Sequence, residues 1–449
     1  MDHRLLVTRY DGRVPRYTSY PTAPHFRPVA GDVWYREWLR RYPDHGPASL
    51  YLHIPFCQAM CWYCGCHTRV AKDDGPVHGY VAALRREIAL TAEAIGRRIP
   101  VARIHWGGGT PTLLGPKSFG AIWEDLQRFF DLDTMIEHAI EVDPRTLSDD
   151  RVEMLSAAGV TRASLGVQTL SEEVQTRINR IQPFALIESA VERLDRAGIS
   201  SINVDLMYGL PAQSTIDVVS AATAVAGLAT RVALFGYAHV PWMKPHQTRI
   251  DEAELPDALA RFEQLKMGSV VLENAGYRRI GLDHFARPDD PLALAAADGR
   301  LRRNFQGYTD DQSSLLLGFG ASAIGESPDG YVQNMTAIPD WQRTIFDGKL
   351  PVAKMRALSP EDCLRRDVIQ TLMCGEPVDL DRLLPDRGLP ADHLDDALRR
   401  LGAPVRDGLV ALHGRRIEVA KDAWPFLRSI AAAFDAYLAP DESRHARAI

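Results

Sequence analysis

Long hydrophobic runs are missing from this sequence. No stretch of about 18 apolar residues, the length that marks a membrane-spanning helix, occurs in it. The first residues carry Arg4 and Arg9 but no apolar segment of the kind found in secretory signal peptides. We therefore expect a cytoplasmic protein that does not enter the membrane.

Cysteine is scarce as well. The chain has 6 cysteines in 449 residues, too few for a disulfide scaffold. Four of them lie between positions 57 and 66, and this clustering without a signal peptide indicates a reducing compartment. Cys363 and Cys374 lie far downstream in a helical-looking region, where we expect buried and inert thiols.

Basic residues do not outnumber acidic ones, since the formal net charge is −6. This charge argues against a general nucleic-acid-binding surface and leaves room for a local basic pocket. With 46% hydrophobic and 24% charged residues, the composition is that of an ordinary globular protein, and the length allows two or three domains. We expect a monomer.

The cysteine cluster is the most informative feature that is present. Cys57, Cys61 and Cys64 are spaced C-x3-C-x2-C directly after the strand-like run 50–54, and Cys66 follows two residues later. Closely spaced thiolates can bind an iron–sulfur cluster. In a cluster of four irons, three thiolates would leave one iron without a protein ligand and open to a small molecule. A zinc knuckle or a pair of disulfides is the alternative, but structural zinc usually needs two separated C-x2-C pairs, and no second pair exists.

A glycine run forms the second motif. Gly107, Gly108 and Gly109 precede Thr110 and follow a strand that ends at Trp106. Such a run lets the backbone approach a ligand closely, although a tight turn would also explain it. The G-x-G-x-x-G and G-K-[ST] patterns of nucleotide-binding loops are absent.

Short apolar runs alternate with segments of helical period, which predicts an α/β fold with parallel strands and right-handed crossovers. The pattern leaves open whether the sheet is doubly wound or part of a barrel. Strands are predicted at 50–54, 103–106, 139–142, 162–166, 201–206 and 233–237, and helices at 80–95, 119–130, 148–158, 185–197 and 215–228.

Polar residues follow several of these strands. Glu141 and Asp143 end the third, Gln168 ends the fourth, and Asp205 lies in the fifth. Ligands of parallel α/β folds bind at the carboxyl ends of strands, so the set predicts a binding site, although each residue alone could cap the next helix.

Three regions are predicted. Residues 1–48, rich in Tyr, Pro and Arg, are interpreted as an irregular arm. Residues 49–355 contain the strand and helix repeats with their extension. Residues 356–449 read as a mostly helical carboxyl-terminal domain, in which Ser359 caps the first helix and a strand-like pair spans 408–412 and 416–419.

With these motifs the chain resembles the radical S-adenosylmethionine superfamily, and within it the oxygen-independent coproporphyrinogen III oxidases, also called dehydrogenases. The segments that carry the resemblance are 15–22 (PRYTSYPT), 53–57 (HIPFC), 64–66 (CGC), 105–111 (HWGGGTP), 179–183 (NRIQP), 205–211, 237–239, 281–286 (GLDHFA) and 304–308 (NFQGY). Segments 15–22, 64–66 and 304–308 are more specific than the superfamily cysteines.

The resemblance implies a partial (β/α)6 barrel, with an amino-terminal arm that closes the active site and a mostly helical carboxyl-terminal domain. It implies a [4Fe-4S] cluster held by Cys57, Cys61 and Cys64, and two molecules of S-adenosylmethionine. The first would contact Tyr51, Gly108 and Glu141, the second would lie near Tyr63, Gly109, Thr110, Gln168, Asp205 and Ala238, and Arg180 and Ile324 would lie near the pair.

The implied reaction converts two propionates of coproporphyrinogen III to vinyl groups, by a 5′-deoxyadenosyl radical that removes a hydrogen before CO2 and an electron leave. Cys66, Arg16 and Tyr17 are candidates near the substrate, because Arg16 could bind a carboxylate and Tyr17 could stack on the macrocycle or simply pack. The electron donor, flavodoxin-like in our expectation, and the electron acceptor are not identified. A haem chaperone and a radical methyltransferase of related architecture are the alternatives.

Overall fold

The computed structural model describes residues 3–41, 46–438 and 446–448. The predicted arm and carboxyl-terminal domain therefore extend over some residues, 1–2, 42–45, 439–445 and 449, that lie outside the described ones. Among the described residues, no helix combines the length and apolar character needed to cross a membrane.

The predicted repeats of strand and helix are confirmed. Six neighbouring parallel strands, here named β1 to β6, are Ala48–Ile54, Val101–Gly108, Glu137–Val142, Arg162–Gln168, Ser201–Tyr208 and Arg231–Gly236. The helices that follow them are Gly75–Ile95, Pro116–Phe129, Asp149–Ala157, Glu172–Arg177, Phe184–Arg196, Thr215–Val225 and Ala258–Asn274.

Side chains alternate between the two faces of these strands. In β5, Ile202, Val204 and Leu206 are buried in the main hydrophobic core, whereas Asn203 and Asp205 line a cavity on the other face. Successive side chains of a strand point to opposite faces of the sheet, so the apolar residues are buried against helices and the polar residues lie on the other face. The concave face of the sheet is therefore polar, which is where a ligand site can form.

The order of the strands decides between the two architectures that the pattern allowed. Strands β1 to β6 follow one another across the sheet in chain order, without the reversal of order that marks a doubly wound sheet, so a partial barrel is formed. Strand Leu315–Phe319 pairs in parallel with β1, and strands at both ends of the sheet are antiparallel. The additional strands are Arg27–Pro28, Arg278–Ile280, His284–Ala286, Ile324–Ser327, Gly330–Asn334 and Val352–Ala357; a separate hairpin joins Arg302–Asn304 to Gly307–Thr309, and helices Pro291–Ala297 and Ile338–Phe346 lie in the same region.

The arm is more regular than predicted. Two helices, His3–Tyr10 and Val33–Arg41, interrupt it, so the prediction of an irregular arm was wrong there. Side chains of the arm, including Val7 and Tyr20, are buried with Leu372 of the carboxyl-terminal region in a second hydrophobic core. The arm is thus tied to a region more than 300 residues away in the chain, and the domain boundaries stay predictions.

In the carboxyl-terminal region the predicted cap and strand pair are confirmed. Ser359 forms a capping box with Asp362 at the start of helix Pro360–Met373, and strands Val410–His413 and Arg416–Val419 pair with each other. The remaining elements are strand Val378–Asp379 and helices Leu380–Leu383, Asp395–Arg400, Gly402–Arg406 and Leu427–Ala431.

Candidate active site

The cysteine motif lies on the loop that follows β1. A short strand, Phe56–Cys57, pairs with Arg69–Val70, so the loop returns to its own beginning. Cys57, Cys61 and Cys64 line one cavity of about 650 Å³. The cavity is named here the cofactor cavity.

Two segments that are distant in sequence hold this loop by hydrogen bonds. One segment follows β4 and the other follows β6, so the loop is fixed by the ends of barrel strands. The contacts are Trp62 N–H to Ile178 O at 2.9 Å, Asn179 Nδ2 to Met60 O at 2.8 Å, Lys244 Nζ to Cys66 O at 2.8 Å and Gln247 Nε2 to Tyr63 O at 3.0 Å.

Cationic and hydroxyl groups lie close to two of the thiols. Arg145 Nη2 and Arg180 Nη1 lie 3.6 Å and 3.5 Å from Cys61 Sγ. Thr68 Oγ1 lies 3.2 Å from Cys57 Sγ. Burial raises the pKa of the Cys57 thiol, and the hydrogen bond from Thr68 offsets this only in part. Because the thiolate is the form that binds metal, Cys57 would lose its proton when a metal centre binds.

These residues fit an iron–sulfur cluster better than the alternatives. All six cysteines are free, so no disulfide pair is formed. Within the described part of the chain, no three His, Cys, Asp or Glu side chains converge on the position of a single metal ion. The cysteines of a cluster each bind a different iron and so stand farther apart than the ligands of one ion.

The glycine run lies beside the cysteine loop. Gly108 has φ of 119°, in the region that side chains rarely adopt, and its N–H donates to Glu141 Oε2 at 3.0 Å. The N–H of Gly109 donates to Ile54 O at 2.8 Å. The run therefore joins the end of β2 to the end of β1 and to Glu141 of β3.

The structure gives a physical reason for glycine that differs from the predicted one. We expected a Cβ to obstruct the ligand, yet a Cβ at Gly109 would lie 2.6 Å from both Phe56 O and Thr68 Oγ1. At Gly108 it would lie 2.9 Å from Ile54 O. The missing side chains allow the glycine run to pack against the backbone of the cysteine loop.

We expect Gly109→Ala to lower the iron content of the reconstituted protein to less than about half, because the displaced Phe56 and Thr68 adjoin Cys57. Iron and sulfide analysis after anaerobic reconstitution measures this. Gly115→Ala is the matched control, since a Cβ there meets nothing within 4 Å. Normal iron with weakened S-adenosylmethionine binding would instead mean that the glycine contacts the cofactor.

Asp205 is a partly buried carboxyl at the strand ends. It accepts hydrogen bonds from Asn203 Nδ2 at 2.9 Å and Ser164 Oγ at 3.2 Å. Burial, together with the charge of Glu141, raises the pKa of Asp205 to about 6. Gln168 adjoins it on β4 with φ of 68° at a break in the strand register, a strained backbone of the kind found at ligand sites.

An ion-pair group missed by the sequence analysis lies between the strand ends and the thiols. Asp143 Oδ2 accepts from Arg145 Nη2 at 2.6 Å and from Arg180 Nη1 at 3.3 Å. Burial favours the neutral carboxyl of Asp143, but the hydrogen bond from Arg145 and the charge of Arg180 outweigh it, so its pKa is lowered. The position of Arg145 two residues after Asp143 was a local signal that could have revealed the pair.

A second cavity of about 610 Å³, named here the lumen, lies on the concave face of the sheet. His53 shapes its wall, because its Nε2–H donates to His67 O at 2.9 Å and its Nδ1 accepts from Tyr51 OH at 3.0 Å. Burial lowers the pKa of His53 to about 4, so the ring is neutral at physiological pH. Glu141 and Asp205 line both cavities.

The structure brings nearly all predicted site residues to these two cavities. Those at the cofactor cavity are Arg16, Cys57, Cys61, Tyr63, Cys64, Cys66, Gly108, Gly109, Thr110, Glu141, Gln168, Arg180, Asp205 and Ala238, and those at the lumen include Tyr51 and Ile324. Tyr17 does not join them. It is 1% exposed in the second core, and its hydroxyl donates to Asp435 Oδ2 at 3.1 Å, so it packs and does not face the cavity.

Comparisons with known proteins agree with this geometry. The family model described as the radical SAM superfamily matches residues 51–224. The oxygen-independent coproporphyrinogen III oxidase of Bradyrhizobium diazoefficiens is 48% identical over 448 residues, covering 99% of each chain. The enzyme of the same name from Paracoccus denitrificans is 39% identical over 429 residues, covering 95% of each chain.

A solved structure gives the same result for the fold. The coproporphyrinogen III oxidase from Escherichia coli, described as a radical SAM enzyme, superimposes with a TM-score of 0.90 at 37% identity, covering 97% of this chain and 99% of the other. Similarity of this extent includes the arm and the carboxyl-terminal region as well as the barrel. The chain therefore belongs to the oxygen-independent coproporphyrinogen III oxidase family of the radical SAM superfamily.

Proposed function

We propose that this protein catalyses the oxidative decarboxylation of two propionates of coproporphyrinogen III to vinyl groups, which gives protoporphyrinogen IX in anaerobic haem biosynthesis. One observation carries the proposal. The cysteine loop, the glycine run and the polar strand ends open on one cavity, in a chain that matches oxidases of this name over its full length. It is thus an oxidoreductase of the radical SAM class.

Cys57, Cys61 and Cys64 would hold the [4Fe-4S] cluster, which when bound supplies the electron that cleaves S-adenosylmethionine to the hydrogen-abstracting radical. The chain itself binds, orients and encloses the reactants. Lys244 and Asn179 hold the cysteine loop. Enclosure matters because a reactive species must be kept from water.

Two molecules of S-adenosylmethionine are part of the proposal. We assign Tyr51, Gly108 and Glu141 to the first, with Ile324 nearby. The second is assigned to residues of the cysteine loop, of the glycine run and of β4, β5 and the segment after β6. Support comes from the adjacency of the cofactor cavity and the lumen, since Glu141 and Asp205 line both, so that room exists beside the first molecule. The second set is Tyr63, Gly109, Thr110, Gln168, Asp205 and Ala238, and Arg180, like Ile324, is assigned to the vicinity of the pair.

The other two functions stay as alternatives. A haem chaperone from related sequences typically lacks the Tyr-Thr-Ser-Tyr-Pro arm and the fourth cysteine, and this chain has both. A radical methyltransferase would share the cofactor residues. The electron donor, proposed to be flavodoxin-like, the electron acceptor, the monomeric state and the cytoplasmic location remain predictions.

Anaerobic reconstitution with iron and sulfide, followed by coproporphyrinogen III, S-adenosylmethionine and a reductant, tests the function. We expect CO2 and protoporphyrinogen IX. A methylated product would favour the methyltransferase, and tight haem binding without turnover would favour the chaperone.

Arg16 gives a test of substrate binding. Its Nη2 donates to Gly236 O at 3.0 Å, which brings the arm to the edge of the cofactor cavity. We expect Arg16→Met to raise the KM for coproporphyrinogen III by roughly 10-fold or more, since a hydrogen bond to a charged group contributes about 1.5–3 kcal/mol. Arg9→Met, on the same arm but paired with Asp407, is the control. An unchanged KM in Arg16→Met would contradict the assignment.

A further inference from the structure

Guanidinium groups surround a small cavity beside the cofactor cavity. Its volume is about 30 Å³, roughly the room of one or two water molecules and so of a single carboxylate group. We name it the arginine cavity. Five arginines line it: Arg16, Arg261, Arg303, Arg428 and Arg447.

Positive charge exceeds negative charge around this cavity, although Arg447 is mostly exposed and pairs with Asp11 Oδ2 at 2.7 Å. Asp283 is the one carboxylate that lines it among the residues described, and this carboxylate is already paired with His284 Nδ1 at 2.7 Å. Burial, and next the positive charge of Arg16, lower the pKa of Arg428 to about 9. A buried cluster of like charges is costly until an anion joins it.

Arg428 supplies charge to the cavity but few free donors. Its guanidinium donates to carbonyls of the arm and of the carboxyl-terminal tail, with Nε to Pro15 O at 3.0 Å and Nη1 to Arg447 O at 2.8 Å. Its Nη2 donates to Val14 O. Arg428 therefore joins the two ends of the chain and contributes a fixed positive potential.

Arg303 offers the donors. It is 5% exposed, lies over the Tyr308 ring at 4.4 Å, and donates from Nη2 to Arg16 O at 3.2 Å. In the described structure, Nε and Nη1 of Arg303 are buried without a hydrogen-bond partner. These two N–H groups point to opposite sides of the guanidinium, so one carboxylate can accept from one of them and needs its second donor from a neighbouring arginine.

We propose that the arginine cavity binds one propionate of the tetrapyrrole that is not decarboxylated, with Arg303 and Arg16 as its ligands. This inference rests on the proposed function. The two cavities share Arg16, Gly236, Tyr237 and Ala238, so a substrate whose reacting propionate lies in the cofactor cavity can place another beyond Arg16. Anchoring a retained carboxylate would fix which propionate reaches the radical.

The test replaces Arg303 in the reconstituted holoenzyme. Arg303→Met should raise the KM for coproporphyrinogen III by roughly 10- to 100-fold, the equivalent of a lost charge-assisted hydrogen bond. Iron content and the KM for S-adenosylmethionine should change less than about twofold, and Arg303→Lys should recover part of the loss because it restores a charge. Arg415→Met is the matched control, since Arg415 also has buried nitrogens without a hydrogen-bond partner, at a site distant in the sequence.

A substrate variant separates binding from a structural effect. Coproporphyrinogen III with one retained propionate as its methyl ester should bind the unsubstituted enzyme more weakly, and Arg303→Met should weaken it little further, because the interaction is already lost. If Arg303→Met weakened the binding of the acid and of the ester by the same factor, the proposal would be wrong. A rise in the KM for S-adenosylmethionine, with no rise in the KM for the tetrapyrrole, would also overturn it. If the unsubstituted holoenzyme converts no coproporphyrinogen III, the proposed function itself is wrong. This result differs from the two outcomes that would overturn only the role of the arginine cavity.

Discussion

Cys61→Ser is expected to lose most of the iron and all cleavage of S-adenosylmethionine, and Cys57→Ser and Cys64→Ser should do the same. Each thiolate would bind a different iron, so the loss of one opens a corner of the cluster. Cys61 is 7% exposed beneath Arg145 and Arg180, where no external thiol has easy access. Iron analysis and release of 5′-deoxyadenosine measure the effect.

Cys363→Ser is the control for these three variants. Cys363 follows the cap of helix Pro360–Met373 and does not line either cavity. The Cys363→Ser variant should have the same iron content as the unsubstituted protein and should cleave S-adenosylmethionine at the same rate. A full and active cluster in Cys57→Ser, Cys61→Ser or Cys64→Ser would show that the ligand assignment is wrong.

The second large effect is expected at Cys66. Its side chain lines the cofactor cavity, but a fourth thiolate would fill the iron that S-adenosylmethionine needs. Cys66→Ser should therefore keep the iron and the absorption of the cluster, yet reduce conversion of coproporphyrinogen III by about 100-fold or more, the size of effect expected from losing a group near the reacting atoms. Absorption spectra report whether the cluster is retained, and product analysis reports whether coproporphyrinogen III is converted.

The contacts of Cys66 make this variant informative. Its N–H approaches Cys64 Sγ at 3.4 Å and its carbonyl accepts from Lys244 Nζ at 2.8 Å. Both are backbone contacts that serine preserves, and a serine hydroxyl can still donate to Cys64 as the Cys66 thiol does, so the loop should keep its shape. Cys374→Ser serves as the control. Loss of the cluster in Cys66→Ser would make Cys66 a ligand or a structural support and would contradict the prediction.

Much of the site could be predicted because its signals are local. The spacing of Cys57, Cys61 and Cys64 follows one strand, and Gly107 to Gly109 end the next. Parallel strands bring their carboxyl ends to the same edge, so Glu141, Gln168 and Asp205 were expected near those motifs. Strand and helix periods likewise predicted β1 to β6, since each depends on residues a few positions apart.

Other features depended on residues far apart in the chain. Leu315–Phe319 joins β1 as a further parallel strand, and its partner cannot be recognised from its own short apolar pattern. Tyr17 carried a sequence signal for the substrate site, but Asp435 and the second core take it away from the cavity. A single aromatic residue gives no sign in the sequence of which surface it will contact.

The sequence by itself determined the cofactor motifs, the α/β repeat and the family, because these are written in neighbouring residues and in their order. Only the tertiary structure decided that the arm and the carboxyl-terminal region share a core, that glycine at position 109 is required by Phe56, and that Arg16 meets Arg303. Contacts such as these join positions up to hundreds of residues apart. They are selected by the packing of the whole chain, which local propensity and spacing do not encode.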